Sequence, residues 1–166
     1  MKLPICSFCA KTGMLCANCK TKLQDDDISN LDVEISKILV KHSNVKSFQN
    51  VKFFNSIDTP ELLIISGDKA LKQAISSSEQ IKGQIERLNN KSVQIVAKEG
   101  TVKDTLSSLF SPVEVSGIDE IFVPDGTKEI RVNLRGKVED LPLQEESMLL
   151  IASKLTDSSI RIEFVN

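Results

Sequence analysis

Apolar residues recur along this chain with two different periods, and the switches between them mark its elements. Over residues 30 to 43, Leu31, Ile35, Ile38 and Leu39 follow three- and four-residue spacing and define one face of a helix. Ser29 and Asp32 stand where a capping box would start it. Residues 47 to 57 (SFQNVKFFNSI) and 61 to 67 (ELLIISG) read as strands joined by a turn at Asp58-Thr59-Pro60. Ala70, Leu71, Ala74 and Ile75 then mark a short helix, and Ile81, Ile85 and Leu88 a second one. Val93 and Ile95 flank Gln94 in a closing strand. The order is α-β-β-α-α-β.

The second half runs the same course. Val102, Leu106, Leu109 and Phe110 predict a helix over 102 to 110. Strands follow at 113 to 123 and 127 to 135 around the turn Pro124-Asp125-Gly126. Ile130, Val132 and Leu134 alternate there with Arg131, Asn133 and Arg135. A short helical piece near 137 to 141 precedes a helix at 144 to 155 carrying Met148, Leu149, Ala152 and Leu155. The last strand, SIRIEFV, is expected to bury Ile160, Ile162 and Phe164. Little residue identity links the halves, so the repeat is one of element order and length. The fold class is α+β, with repeats at 30–98 and 101–166 and a separate segment at 1–24.

The polar connector KTKLQDDDIS at 20 to 29 reads as a solvated link, not a metal site. Ahead of it, Cys6, Cys9, Cys16 and Cys19 are all the cysteines in 166 residues, spaced C-x2-C-x6-C-x2-C. Two such pairs can close a tetrahedron of thiolates around one zinc ion, with Gly13 available for the return between them. Iron accepts the same four ligands, and a redox dithiol is the remaining reading. A catalytic zinc needs an open position, and the only histidine, His42, falls at the end of a helix. The expected cofactor is one structural Zn²⁺, stapling a segment too small to hold a core of its own.

Charge changes the picture little. The chain has 21 Lys and Arg against 23 Asp and Glu, a net charge of −2 that four thiolates and one Zn²⁺ carry to about −4. Such a balance gives no strong general attraction to nucleic acid. Trp and Tyr are absent, and most of the seven Phe fit core positions. No apolar run is long enough to cross a bilayer, and MKLPIC lacks the apolar core of a secretory signal, so the cytoplasm is the expected location.

Three stretches give the chain a family resemblance: KLPICSFCAKTGMLCANC leading into LDVEISKIL, ISSSEQIKGQIERLNNKSVQIV, and PVEVSGIDEIFVPDGTKEIRV. Across nearly its full length the chain resembles the archaeal NusA-like transcription factors. That resemblance implies an N-terminal zinc ribbon or knuckle, two tandem type II KH domains, contact with single-stranded RNA, and partnership with RNA polymerase or other transcription proteins in elongation or termination.

The chain departs from the KH pattern at its phosphate grip. A KH domain uses a Gly-x-x-Gly loop to bring bare backbone against the nucleotides. The first repeat has Ser76-Ser77-Ser78-Glu79 at that place, and the second has Glu139-Asp140-Leu141-Pro142-Leu143-Gln144. Candidate RNA contacts that remain are Lys69, Lys72 and Lys82, the hydroxyls of Ser76, Ser77 and Ser78, and Arg131 and Arg135 on one face of a strand. Exposed lysines and an outward arginine ladder are more often solubility features than phosphate contacts. No nucleophile–base set or phosphate-binding glycine loop is present to make an enzyme of it. The expected role is therefore a transcription accessory factor with weak RNA affinity, or a protein-interaction module that has given up RNA.

Overall fold

The computed structural model describes residues 1–98 and 100–165 and divides them into two compact units, Met1–Ala97 and Lys98–Asn166. Unit 1 begins with two short helices, α1 (Ser7–Thr12) and α2 (Ala17–Gln24), followed by α3 (Asn30–Lys41). Then come β1 (Phe53–Asp58), β2 (Leu62–Gly67), α4 (Lys69–Ser76), α5 (Glu79–Asn89) and β3 (Ser92–Ala97). In its sheet, β1 pairs antiparallel with β2, and β2 runs parallel to β3. The parallel pair forces a crossover, and α4 and α5 supply it.

Unit 2 repeats this course with α6 (Val102–Phe110), β4 (Glu114–Phe122), β5 (Lys128–Arg135), a 3-10 turn at Val138–Asp140, α7 (Glu145–Thr156) and β6 (Ser159–Val165). Again β4–β5 is antiparallel and β5–β6 parallel. Each antiparallel pair also slips register near the start of its first strand, between Phe53 and Asn55 and between Val115 and Gly117. A bulge of this kind bends a strand at a chosen point. Finding it at the same place in both sheets makes the internal repeat one of geometry as well as element order.

The core of unit 1 lies between the sheet and α3, α4 and α5, where Ile35, Leu39, Phe53, Leu63, Ile65, Leu71, Ile75 and Ile85 are buried together. The strand expected from residue 47 begins only at Phe53. Lys46–Phe48 forms a 3-10 turn that buries Phe48, and Val51 is buried beside it. Two apolar residues three apart suit an inward-facing turn better than a strand, whose faces alternate every second residue. The closing strand β6 also departs from expectation: Ile160 is buried, but Ile162 and Phe164 are half-exposed at the sheet edge.

Two polar anchors fix unit 1. Asp32 is 2% exposed and completes the capping box of α3, its Oδ2 accepting from the Ser29 N–H at 2.8 Å. Its Oδ1 accepts from both the N–H and the hydroxyl of Ser56 in β1, each at 2.6 Å. One carboxylate thus joins helix to sheet. Asp32→Asn keeps the shape but turns an acceptor oxygen into a donor facing another donor, and should cost about 2 kcal/mol in urea unfolding. A loss no larger than that of an exposed Asp→Asn control would show that the tie contributes nothing. The second anchor, Asp68, caps α4 by accepting from the Leu71 N–H at 2.8 Å.

Candidate metal centre

The four cysteines hold equivalent places on two helices. Cys6 is the N-cap of α1 and Cys9 lies in its first turn; Cys16 is the N-cap of α2 and Cys19 lies in its first turn. A two-residue gap thus becomes a cap and a first-turn residue whose side chains point the same way. Gly13 ends α1 in the left-handed region, φ +77°, and its N–H bonds back to the Cys9 carbonyl at 2.9 Å. That turn sends the chain back so that the second pair meets the first. The segment is a helical knuckle and not a β ribbon, with the bridge between Lys2 and Lys52 as its β pairing among the described residues.

All four sulfurs lie within 4.8 Å of one another, and the Sγ atoms of Cys6 and Cys9 are 3.3 Å apart. Bonds of ~2.3 Å to a tetrahedral zinc require sulfurs about 3.8 Å apart, which this cluster meets with small adjustments. Backbone N–H groups already face the sulfurs: Cys16 N–H to Cys9 Sγ at 3.1 Å, Cys9 N–H to Cys6 Sγ at 3.5 Å and Cys6 N–H to Cys19 Sγ at 3.5 Å. Donors placed this way stabilise thiolate, the form that binds metal. The set is a single structural Zn²⁺ site, since four protein sulfurs fill a tetrahedral ion's coordination.

The thiols divide accordingly. The Cys9 N–H, with the Cys9 and Cys19 thiols, holds Cys6 below the ordinary thiol value. The Cys19 N–H and the Cys9 and Cys19 thiols bring Cys16 down to about 7. At Cys9 the Cys16 N–H acts downward, but burial and the other thiols outweigh it and push the pKa up to about 12. At Cys19 the Cys6 N–H likewise acts downward, and burial with the Cys16 thiol outweighs it, leaving the pKa raised. Within each pair the cap cysteine favours thiolate and the inner one resists it without a cation nearby.

The inner cysteines also build a small core. Cys9 and Cys19 are buried with Ile5, Ala10, Ile28 and Val33, and Leu15, Leu23 and Val40 pack against them. Val33 and Val40 belong to α3, so that helix is apolar on two sides: Ile35 and Leu39 face the main core, and Val33 the knuckle. Leu3 packs against both clusters. The single-face reading of α3 missed this second contact, although Val33 and Val40, seven apart, carry its signal in the sequence.

The candidate RNA contacts are more scattered. Ser76 ends α4, Ser77 caps its C-terminus, and Ser78 is the N-cap of α5. Lys69 begins α4, at the far end of that helix from the serines, about 10 Å along its axis. Lys72 lies one turn further on, and Lys82 sits in the first turn of α5, 4.0 Å from Glu86. In unit 2, Arg131 and Arg135 share the face of β5 away from Ile130, Val132 and Leu134, as the alternation predicts. Both have acidic neighbours: Arg131 Nε is 3.3 Å from Glu163 and Arg135 is 3.2 Å from Glu114. The Arg131 contact is an ion pair without an aligned hydrogen bond. No helix of the described chain is long and apolar enough to cross a membrane.

Comparison with known proteins adds fold alone. No protein-family profile matches the chain, and no curated protein does. Among solved structures, 65 chains match, one of them the crystal structure of APE1850. It superposes with a TM-score of 0.56 at 13% identity, over 78% of this chain and 96% of that one. The chain shares an α+β fold with that protein and carries a four-cysteine zinc centre.

Proposed function

We propose that the chain is a non-catalytic accessory factor of transcription elongation or termination, a zinc knuckle followed by two type II KH-like units, with weak affinity for single-stranded RNA. Support for the KH reading is the element order α-β-β-α-α-β, paired antiparallel and then parallel in both units, together with the three resembling stretches. RNA polymerase or another transcription protein is the expected partner.

The observation that carries the weak affinity is the junction between α4 and α5. The Ser77 N–H bonds to the Gln73 carbonyl at 3.0 Å and the Ser78 N–H to the Ile75 carbonyl at 3.1 Å. The Ser78 hydroxyl faces the Ile81 N–H at 3.5 Å. Two backbone donors of the stretch that replaces a Gly-x-x-Gly loop, those of Ser77 and Ser78, are thus occupied within the protein, and exposed Glu79 adds repulsion. In unit 2 the matching helix is only the turn Val138–Asp140, which carries Glu139 and Asp140. The acidic neighbours of Arg131 and Arg135 favour a second reading, a protein-interaction module of a polymerase or ribonucleoprotein complex that no longer binds RNA.

A titration with single-stranded RNA tests the first reading. The parent chain should bind in the micromolar range or weaker at physiological salt, with a steep salt dependence. Ser76→Gly with Glu79→Gly recreates the glycine pair and should tighten binding roughly tenfold, at a helix cost of about 1 kcal/mol per glycine. Nanomolar binding by the parent, or no gain in the double variant, contradicts it. Partners retained in a pull-down after nuclease treatment favour the second reading; partners lost favour the first.

A further inference from the structure

The knuckle combines exposed apolar side chains with a charge balance unlike that of the rest of the chain. Phe8 is 59% exposed and Met14 67% exposed, and neither belongs to the knuckle cluster or the unit 1 core. Thr12 ties the backbone at these two positions, its hydroxyl donating to the Phe8 carbonyl at 2.9 Å and accepting from the Met14 N–H at 3.3 Å. Lys11, three residues beyond Phe8 on α1, lies on the same side of that helix. Residues 1–24 contain four lysines, Lys2, Lys11, Lys20 and Lys22, and no Asp or Glu. All 23 acidic residues lie beyond them. Even with the zinc–thiolate charge of about −2, this segment is net positive in a net negative chain.

From this we propose that the knuckle is the single-stranded RNA-binding surface of the chain, with Phe8 as the stacking platform for a base, Met14 packing beside it, and Lys11 and Lys20 facing the phosphates. The inference rests on the RNA-linked reading above and locates its contact. A π-face with neighbouring cations is what sequence-tolerant single-strand binding uses. RNA is favoured over a protein occupant by charge: Lys11 and Lys20 are exposed and form no ion pair among the described residues, and no acid on the segment competes with a phosphate. The α4–α5 junction offers the opposite, with Glu79 exposed and the Ser77 and Ser78 N–H groups bonded within the protein. Cys6 and Cys9 bracket Phe8 in the sequence, so the ring's position depends on the metal centre.

The test is fluorescence anisotropy of a labelled oligouridylate with the zinc-loaded full chain at low salt, with zinc content measured for every variant. Phe8→Leu keeps apolar bulk but removes the ring, and should weaken binding roughly tenfold, whereas Phe8→Tyr should stay near the parent. Lys11→Glu should weaken binding and flatten its salt dependence. Lys69→Glu with Lys82→Glu, near the serine junction, should change affinity by less than about twofold. If Phe8→Leu binds like the parent with zinc retained, the inference is overturned, including the case in which this face serves a protein. If Phe8→Leu loses zinc, Lys11→Glu decides by the same criterion. A parent chain that fails to bind at low salt overturns the RNA-linked reading itself, a result distinct from failure at Phe8.

Discussion

Replacing Cys16 with Ser should release the metal and melt the first 28 residues while the two sheets stay folded. The knuckle core contains only Ile5, Cys9, Ala10, Cys19, Ile28 and Val33 as buried members, and two of these six are ligands. Such a core is far too small to balance the chain entropy of the segment. Metal binding supplies the difference, at an apparent ~10–16 kcal/mol in small zinc modules. Far-UV circular dichroism should lose roughly the signal of α1 and α2, which hold 6 and 8 residues. Amide exchange should rise across residues 1–28 and hold elsewhere, apart from modest loosening of α3 where Val33 and Val40 lose their cover. Unfolding of the whole chain by the variant, or unchanged protection in the knuckle, would contradict this division.

Gly67→Ala should be among the most damaging single substitutions in unit 1, although alanine normally suits the chain better than glycine. Gly67 ends β2, where a Cβ would stand 2.5 Å from the Lys52 carbonyl oxygen. It would also meet the fully buried Leu71 side chain. Backbone at Lys52 is held by the Asp68 N–H bond to its carbonyl at 2.9 Å, so it cannot withdraw without disturbing the start of α4. Overpacking of this kind should cost about 3 kcal/mol, lowering the midpoint of unit 1 by roughly 10–20 °C. Gly83→Ala is the control. It sits inside α5, where a Cβ meets nothing within 4 Å, and the same substitution should stabilise by about 0.5–1 kcal/mol. Equal effects at the two positions would show that close approach at Gly67 does not govern its identity.

Periodicity in the sequence carried the elements well where one side of an element meets one core. The helices at Asn30–Lys41 and Val102–Phe110 and the strand Lys128–Arg135 follow their apolar spacing to within a residue or two. It failed where an element serves two neighbours or none. The helix α3 faces two cores, so Val33 lay outside the stripe that predicted it. The edge strand β6 keeps a clean alternation, yet Ile162 and Phe164 remain half-exposed because alternation records a preference for a face and not the cover on it. The tie from Asp32 to Ser56 spans 24 residues, a distance over which local pattern carries no information. For the metal centre the spacing named all four ligands, but it did not show that both pairs begin helices.

Native mass spectrometry of the chain purified without added metal tests the account most directly. It should show one zinc per chain, retained in the parent and absent from Cys16→Ser. Iron in its place, no metal at all, or a full complement of zinc in the Cys16→Ser variant would contradict a single closed four-sulfur zinc site.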